Sequence, residues 1–371
     1  MERILITGGA GFIGSHLADG LIDQGYRVRV LDTLSEQVHG DNRQPPQYLN
    51  PAVEFMHGDV CDAGAVREAL RNVDAVFHFA AAVGVGQSMY QIERYTDINN
   101  RGTAVLLQSL IEQPVKKLAV ASSMSVYGEG LYRTTSGQTC TPPERPLTQL
   151  QHGQWELTDN NGDPLQPLPT PESKTTSPAS VYALSKYDQE RLCLLVGQAY
   201  NIPAVALRFF NVYGTRQALS NPYTGVLAIF ASRYLNGNSP SIFEDGEQRR
   251  DFVNIRDVVQ ACVLALERDE AAGRALNVGS GRSYTVREIA EQMGRLLGRE
   301  EIRPVITEQY RVGDIRHCFA DIGEAQNILG YRPRIELEEG MAELAEWLQT
   351  QPAFDRFEAA NEELSQRGLR L

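Results

Sequence analysis

Thr7-Gly8-Gly9-Ala10-Gly11-Phe12-Ile13-Gly14 follows directly on the apolar run Ile4-Leu5-Ile6 and opens a stretch of helical periodicity. Three glycines at this spacing serve three purposes. Gly8 permits a tight strand-to-helix turn, Gly11 lets backbone approach a pyrophosphate, and Gly14 lets the new helix pack on its strand. The helix that starts at Phe12 and Ile13 then points its unpaired N–H groups at the phosphate charge. A bare glycine pattern is weak evidence, but here the strand before it, the helix after it and Asp32 at the end of the next β-branched run complete a dinucleotide fingerprint. A carboxylate at Asp32 accepts from ribose hydroxyls and repels a 2′-phosphate, so NAD is expected in preference to NADP. In His57-Gly58-Asp59-Val60, Asp59 is placed to accept from the adenine amino group, with a loop cap as its bland alternative. Ala80 and Ala81 offer small side chains where the cofactor would pass.

The rhythm continues outward from this turn. Residues 3–7, 28–32, 53–55, 75–80, 117–122 and 204–209 are short, apolar and rich in β-branched residues, and several lack strict alternation, as strands covered on both faces do. Helical segments such as 12–24 and 96–112 lie between them. This alternation predicts an α/β fold, a doubly wound parallel sheet. Residues 129–178 break it with eight prolines and read as an ordered insertion. After Phe210, helices expected at 226–236, 256–267, 285–297 and 337–349 suggest a smaller, mainly helical lobe over the open end of the sheet. The division is therefore 1–210, including the insertion, and 211–371, with some segments returning to the first part. Residues 354–371 are polar and charged and carry no clear reading.

Composition excludes several classes. With 371 residues, 42% of them hydrophobic, the chain is neither a disulfide scaffold nor a disordered segment. Its 35 basic and 47 acidic residues give a net charge of −12, the wrong balance for a protein that tracks nucleic-acid phosphates. Any anionic ligand must be held by a few placed groups. Five cysteines, an odd number without a CxxC pair, fit free thiols in a reducing compartment. No apolar run is long enough to span a membrane, and a cytoplasmic location is expected.

Tyr182-Ala183-Leu184-Ser185-Lys186 puts a phenol and an ammonium on one helix face. An ammonium beside the phenol favours phenolate, which can take a hydroxyl proton as hydride leaves the same carbon. Ser123, at the end of the fifth strand, can hydrogen-bond the same oxygen, and Ser122 beside it falls among the cofactor contacts. Tyr-x-x-x-Lys alone means little; downstream of the glycine turn and a serine-ended strand it means more. At this point the chain resembles the extended short-chain dehydrogenase/reductase superfamily, in its nucleotide-sugar epimerase and dehydratase branch. The resemblance rests on TGGAGFIGSH at 7–16, ASSMSVYGEG at 121–130, YALSK at 182–186, RFFNVYG at 208–214, RDFVNIRDVV at 250–259 and NVGSG at 277–281.

That resemblance implies a Rossmann-like sheet, bound NAD, a nucleotide-diphosphate sugar as substrate and a homodimer. It places Ser123, Tyr182 and Lys186 in the catalytic triad, with Lys186 also on the nicotinamide ribose, and Asn99 in support. Asn211, Arg250, Arg311 and Asp314 fall on nucleotide-sugar contacts. Arg250 pairing with Asp251, or Arg311 with Asp314 or Glu308, remains the plainer alternative. Dehydratases of the branch carry an Asp-Glu pair where this chain has Met124 and Ser125, so elimination of water is not expected. A 4-epimerase working through a transient 4-keto sugar is the economical reading, and the texture is most similar to dTDP-L-rhamnose 4-epimerases. Other readings are a UDP-sugar 4-epimerase, a UDP-glucuronate decarboxylase, a 4-reductase, or a non-catalytic NAD-responsive binding protein. Relatives with a long insertion resemble zinc-ribbon carriers, but Cys140 stands alone there with His152, and no metal is expected. Substrate-choosing residues are sought among 83–88, 221–226 and 241–244. Helices near 96–112 and 181–200 carry apolar residues on more than one face, among them Leu106, Leu107, Leu110, Leu192, Leu195 and Val196; one face is expected on the sheet and the second is the candidate dimer contact, with burial in the core as its plainer alternative.

Overall fold

The computed structural model describes residues 2–41, 43–217, 225–311, 313–351 and 357–370. Seven strands form one parallel sheet: β1 (Arg3–Thr7), β2 (Arg27–Asp32), β3 (Glu54–His57), β4 (Ala75–His78), β5 (Lys117–Ser123), β6 (Ala204–Phe209) and β7 (Ala275–Val278). Their order is β3-β2-β1-β4-β5-β6-β7, so growth reverses at β1 and a crevice opens between the carboxyl ends of β1 and β4. Ile4, Leu5 and Ile6 are all fully buried, Ile4 and Ile6 in one core layer and Leu5 in the other. Burial on both faces is why the strands do not alternate. The third strand begins one residue later than expected and runs on to His57.

Seven helices matter for the site: α1 (Phe12–Asp23), α2 (Gly102–Glu112), α3 (Val181–Tyr200), α4 (Val226–Leu235), α5 (Ile255–Glu267), α6 (Val286–Leu296) and α7 (Leu337–Gln349). α1 and α5 share one face of the sheet, and a Cβ at Gly20 would stand 2.6 Å from the Val259 side chain. α5, expected in the lobe, thus returns to the sheet, as does β7. α2 and α3 cover the other face. Leu106, Leu107 and Leu110 pack into that core and so form the sheet-facing side of α2. The outward large apolar side chains of α2 and α3 among the described residues are Ile111, Leu184, Leu195 and Tyr200, the last three half-exposed. α4, α6 and α7 build the lobe's own core around Phe230, Tyr234, Met293 and Leu344. α6 starts with a full capping box, Thr285 with Glu288.

The insertion folds as a small antiparallel sheet in which Leu131–Arg133 pairs with Thr139–Cys140 and Gln166–Leu168. Its core is only Tyr132, Leu157 and Leu165, with Cys140 against it. Charge docks it to the rest. Arg145 meets Glu244 at 2.8 Å, and the fully buried Arg316 reaches Glu156, Glu244 and Asp245. His152 is exposed and bonds the Thr148 carbonyl. Among the described residues no group of three or more His, Cys, Asp or Glu is arranged to hold a metal ion, and no helix is long and apolar enough to cross a membrane.

Candidate active site and cofactor cleft

Two clefts meet at the carboxyl ends of the strands. The first, of about 450 Å³, is lined by Gly8, Gly11, Phe12, Ile13, Gly14, Asp32, Asp59, Val60, Ala80, Ala81, Ser122 and Lys186. Gly8 has φ +70°, and a Cβ there would sit 2.8 Å from the Ala80 nitrogen. Only glycine fits such a turn. A Cβ at Gly14 would fall 2.6 Å from the Gly8 carbonyl oxygen. Gly14 therefore packs the helix on the turn itself rather than on the strand. Gly11 caps α1 with no side-chain hydrogen bond and no acid in the first turn, leaving the helix N–H groups free for an anion. Asp32 accepts from Ala10 N at 3.0 Å and Leu34 N at 2.9 Å, which fixes its carboxylate beside the turn. Asp59 accepts from Cys61 N at 2.8 Å, so it caps its loop while also lining the cleft. These residues fit a dinucleotide with an unphosphorylated ribose.

The second cleft, of about 350 Å³, continues past Ser123 and Tyr182 to Asn211, Arg250, Arg311 and Asp314. Every sequence-expected substrate residue thus lines one continuous space. Asn211 has its side-chain oxygen buried without a partner, an acceptor awaiting a donor. Among the described residues Arg250 bonds neither Asp251 nor another acid: its guanidinium donates to the carbonyls of Arg249, Ile315 and Arg316. Asp251 faces away and accepts from Ser280 and Gly281. Arg311 does take the plainer partner, Asp314 at 2.9 Å, and lies over the Phe243 ring. Residues 221–224 of the expected pocket wall lie outside the described residues.

Ser123 and Tyr182 stand where the two clefts join, and Lys186 lines the first. Ser180 caps α3 by accepting from Ala183 N, and the Tyr182 N–H donates to Ser88 Oγ at 2.9 Å. Burial pushes the Tyr182 phenol above its ordinary pKa, and a hydrogen bond with Ser123 works against that. The Lys186 ammonium donates to Gln189 Oε1 at 2.6 Å. Burial lowers the Lys186 pKa to about 8, opposed by Cys193 and Glu190. Asn99 sits in a π-helical turn, Thr96–Arg101, a distortion often found at functional sites. It donates to Ser185 Oγ at 2.8 Å and accepts from Ala82 N at 2.7 Å, tying α3 to the loop after β4.

Beneath these groups lies a polar layer that motif reading passes over. His78 bonds Thr7 and Thr103, each at 2.8 Å, and Gln189 also reaches Thr103 at 2.8 Å. Burial, then Lys186, lowers the His78 pKa to about 3, so it is a neutral connector. Glu190 holds Arg208 through two bonds, at 2.6 and 2.9 Å, and accepts from Ser122 Oγ at 2.6 Å. A signal did exist: Arg208 interrupts an apolar strand, and Glu190 continues the Tyr182 and Lys186 stripe at helical spacing.

The shifted lysine gives a pH prediction. In the unfolded chain Lys186 keeps its proton to pH about 10.5, and in the folded protein it loses it near 8. Between those values the unfolded state binds more protons, so this group makes stability rise with pH, by up to about 1.4 kcal/mol per unit. Denaturant melts of wild type and Lys186→Met, compared from pH 7.5 to 10, should therefore shift in favour of wild type as pH rises. A pH-independent difference would show that the ammonium is not desolvated.

The fold and the glycine cradle together define an NAD-binding enzyme of the short-chain dehydrogenase/reductase type. Residues 4–150 and 159–279 match the model of the NAD dependent epimerase/dehydratase family, and the chain belongs to that family. It is 34% identical over 352 residues to the dTDP-L-rhamnose 4-epimerase of Burkholderia thailandensis, covering 94% of this chain and 95% of that protein. It is 33% identical to a putative UDP-glucose 4-epimerase of Methanocaldococcus jannaschii, over 93% of this chain and 98% of the other. Among solved structures it resembles the UDP-glucose 4-epimerase of Thermotoga maritima with UDP-glucose, at TM-score 0.76 and 32% identity over 94% of this chain and 98% of that one. The UDP-N-acetylglucosamine 4-epimerase of Methanobrevibacter ruminantium is similar at TM-score 0.75 and 30% identity, over 95% and 99% of the two chains.

Proposed function

We propose that this protein is a nucleotide-sugar 4-epimerase that carries its substrate through a 4-keto sugar, with dTDP-L-rhamnose and its C4 epimer as the first pair to test. The observation that carries this reading is the position of Ser123 and Tyr182 at the junction of the two clefts, with Lys186 one helical turn on in the wall of the first. When bound, NAD supplies a hydride acceptor and donor and a positively charged ring. Tyr182 takes the C4 hydroxyl proton while Ser123 holds the same oxygen, and Lys186 turns from Gln189 toward the ribose and the phenol. Those charges favour the phenolate. Tyr182 then returns the proton after the ketone has presented its other face. Arg250, Arg311 and Asp314 retain the nucleoside diphosphate during that turn, Arg311 by exchanging Asp314 for phosphate.

Elimination is disfavoured by what stands beside Ser123. Met124 is buried, and the Ser125 hydroxyl donates to Ser123 Oγ at 2.9 Å, so neither position offers an acid or base of its own. UDP-linked hexoses are the second substrate class, favoured by the relatives and solved neighbours named for UDP sugars. The test is incubation with a panel of dTDP- and UDP-hexoses, with product stereochemistry read by NMR. Inversion at C4 without stoichiometric NADH release is expected. NADH released in proportion to product would instead make it a dehydrogenase, and loss of water or carbon dioxide would exclude epimerisation. The outward Leu184, Leu195 and Ile111 side chains support a dimer through α2 and α3, and light scattering at micromolar concentration should give twice the chain mass.

A further inference from the structure

The C-terminal segment is the part of the chain whose sequence says least, yet it lies along the second cleft. Asn361 and Leu364 both line that cleft and are 5% and 4% exposed. The segment is held at two places that belong to opposite ends of the substrate space. At one end, Tyr90 donates to Glu363 Oε2 at 3.0 Å and carries the Arg367 guanidinium 4.2 Å over its ring. Tyr90 follows the short helix Val85–Ser88, whose Ser88 hydroxyl accepts the Tyr182 N–H. At the other end, Arg370 donates to Gln309 Oε1, bridges to Arg311 through the backbone and lies 5.7 Å from the centre of the Phe243 ring. Phe243 also carries Arg311.

Where the segment crosses the cleft it meets a glycine. A Cβ on Gly86 would come within 3.3 Å of Leu364, so the wall there is built jointly by Gly86 and the helix Phe357–Gln366. Resting on the reading above, Ser123 and Tyr182 occupy the C4 oxygen, and Arg250, Arg311 and Asp314 occupy the nucleotide end. The remaining lining, with Val85, Gly86, Asn361 and Leu364, surrounds the rest of the sugar ring. We propose that residues 361–370 form a strap over the substrate cleft, and that Asn361 and Leu364 determine which hexose it accepts. Asn361 supplies the amide that reads a ring hydroxyl, and Leu364 limits the bulk of a ring substituent.

The strap predicts selective effects. Asn361→Ala should raise KM for the preferred sugar about tenfold with kcat within threefold, as loss of one neutral hydrogen bond would. Leu364→Ala should improve kcat/KM for an N-acetylated or otherwise bulkier hexose relative to the preferred one by at least fivefold. Calorimetry of the same variants with dTDP or UDP alone should return wild-type affinity, because the nucleotide end is untouched. Binding of whole nucleotide sugars, measured the same way, needs no turnover and so separates this proposal from the catalytic reading. Unchanged sugar preference in both variants would overturn the strap as a specificity element. So would equal weakening of sugar-linked and free nucleotide, which would mean a structural role only.

Discussion

Tyr182→Phe should lower kcat by about three orders of magnitude while leaving the fold and the bound NAD in place. The phenol oxygen is the only atom removed, and general acid–base groups of this kind contribute about 10²- to 10⁴-fold. Phenylalanine keeps the edge-to-face contact with Tyr95, whose ring centre lies 6.4 Å away, and the cap by Ser180 and the Ser88 contact both use backbone groups. Burial of a hydroxyl whose pKa is already raised by desolvation is removed as well, so thermal stability should hold. The measurement is single-turnover epimerisation together with cofactor content after gel filtration. A variant within tenfold of wild type would exclude Tyr182 as the proton carrier, and a variant stripped of NAD would show a structural effect instead.

Glu190→Ala should give the largest loss of stability, about 3–5 kcal/mol, by stranding the buried Arg208 charge. Glu190 is 1% and Arg208 5% exposed, and two charge-assisted bonds join them. Among the described residues Arg208 would retain hydrogen bonds to the Tyr127 hydroxyl at 2.9 Å and the Glu172 carbonyl at 3.5 Å, and the Tyr127 ring 4.9 Å from its guanidinium. The damage would reach the site, because Ser122 pairs in register with Arg208 and gives its own hydroxyl to Glu190. Ser123 is the next residue on that strand. Urea melts should place Glu190→Gln between wild type and alanine, since the amide keeps one acceptor. A loss under 1 kcal/mol for alanine would mean that water enters and solvates the guanidinium.

The glycine turn, the first six strands and the Tyr182 to Lys186 stripe were legible because each is a local pattern with a period or a backbone demand behind it. Gly8 must adopt positive φ, and Asp32 must end a strand beside it. The four-residue β7 was not legible: Ala275–Val278 follows a helix in a region read as lobe, and nothing local marks it as the seventh strand. The partners of Arg250 were hidden for a related reason. They are carbonyls, two of the three some 65 residues away, and backbone acceptors have no sequence signature. Lys186 taught the same lesson in reverse, since helical spacing brings it near Tyr182 but does not tell that Gln189, one turn on, takes its proton bond.

The insertion's small core has a consequence for the order in which the molecule assembles. Tyr132, Leu157 and Leu165 bury too little to hold fifty residues alone. Its anchors, Glu244, Asp245 and Arg316, come from the second half of the chain, Arg316 from the last third. Contacts of such long sequence separation form late, after their loop-closure entropy has been met. The insertion should therefore be the last unit to gain amide protection on refolding and the first to lose it. A nascent chain would remain open at this edge until its C-terminal third had been synthesised.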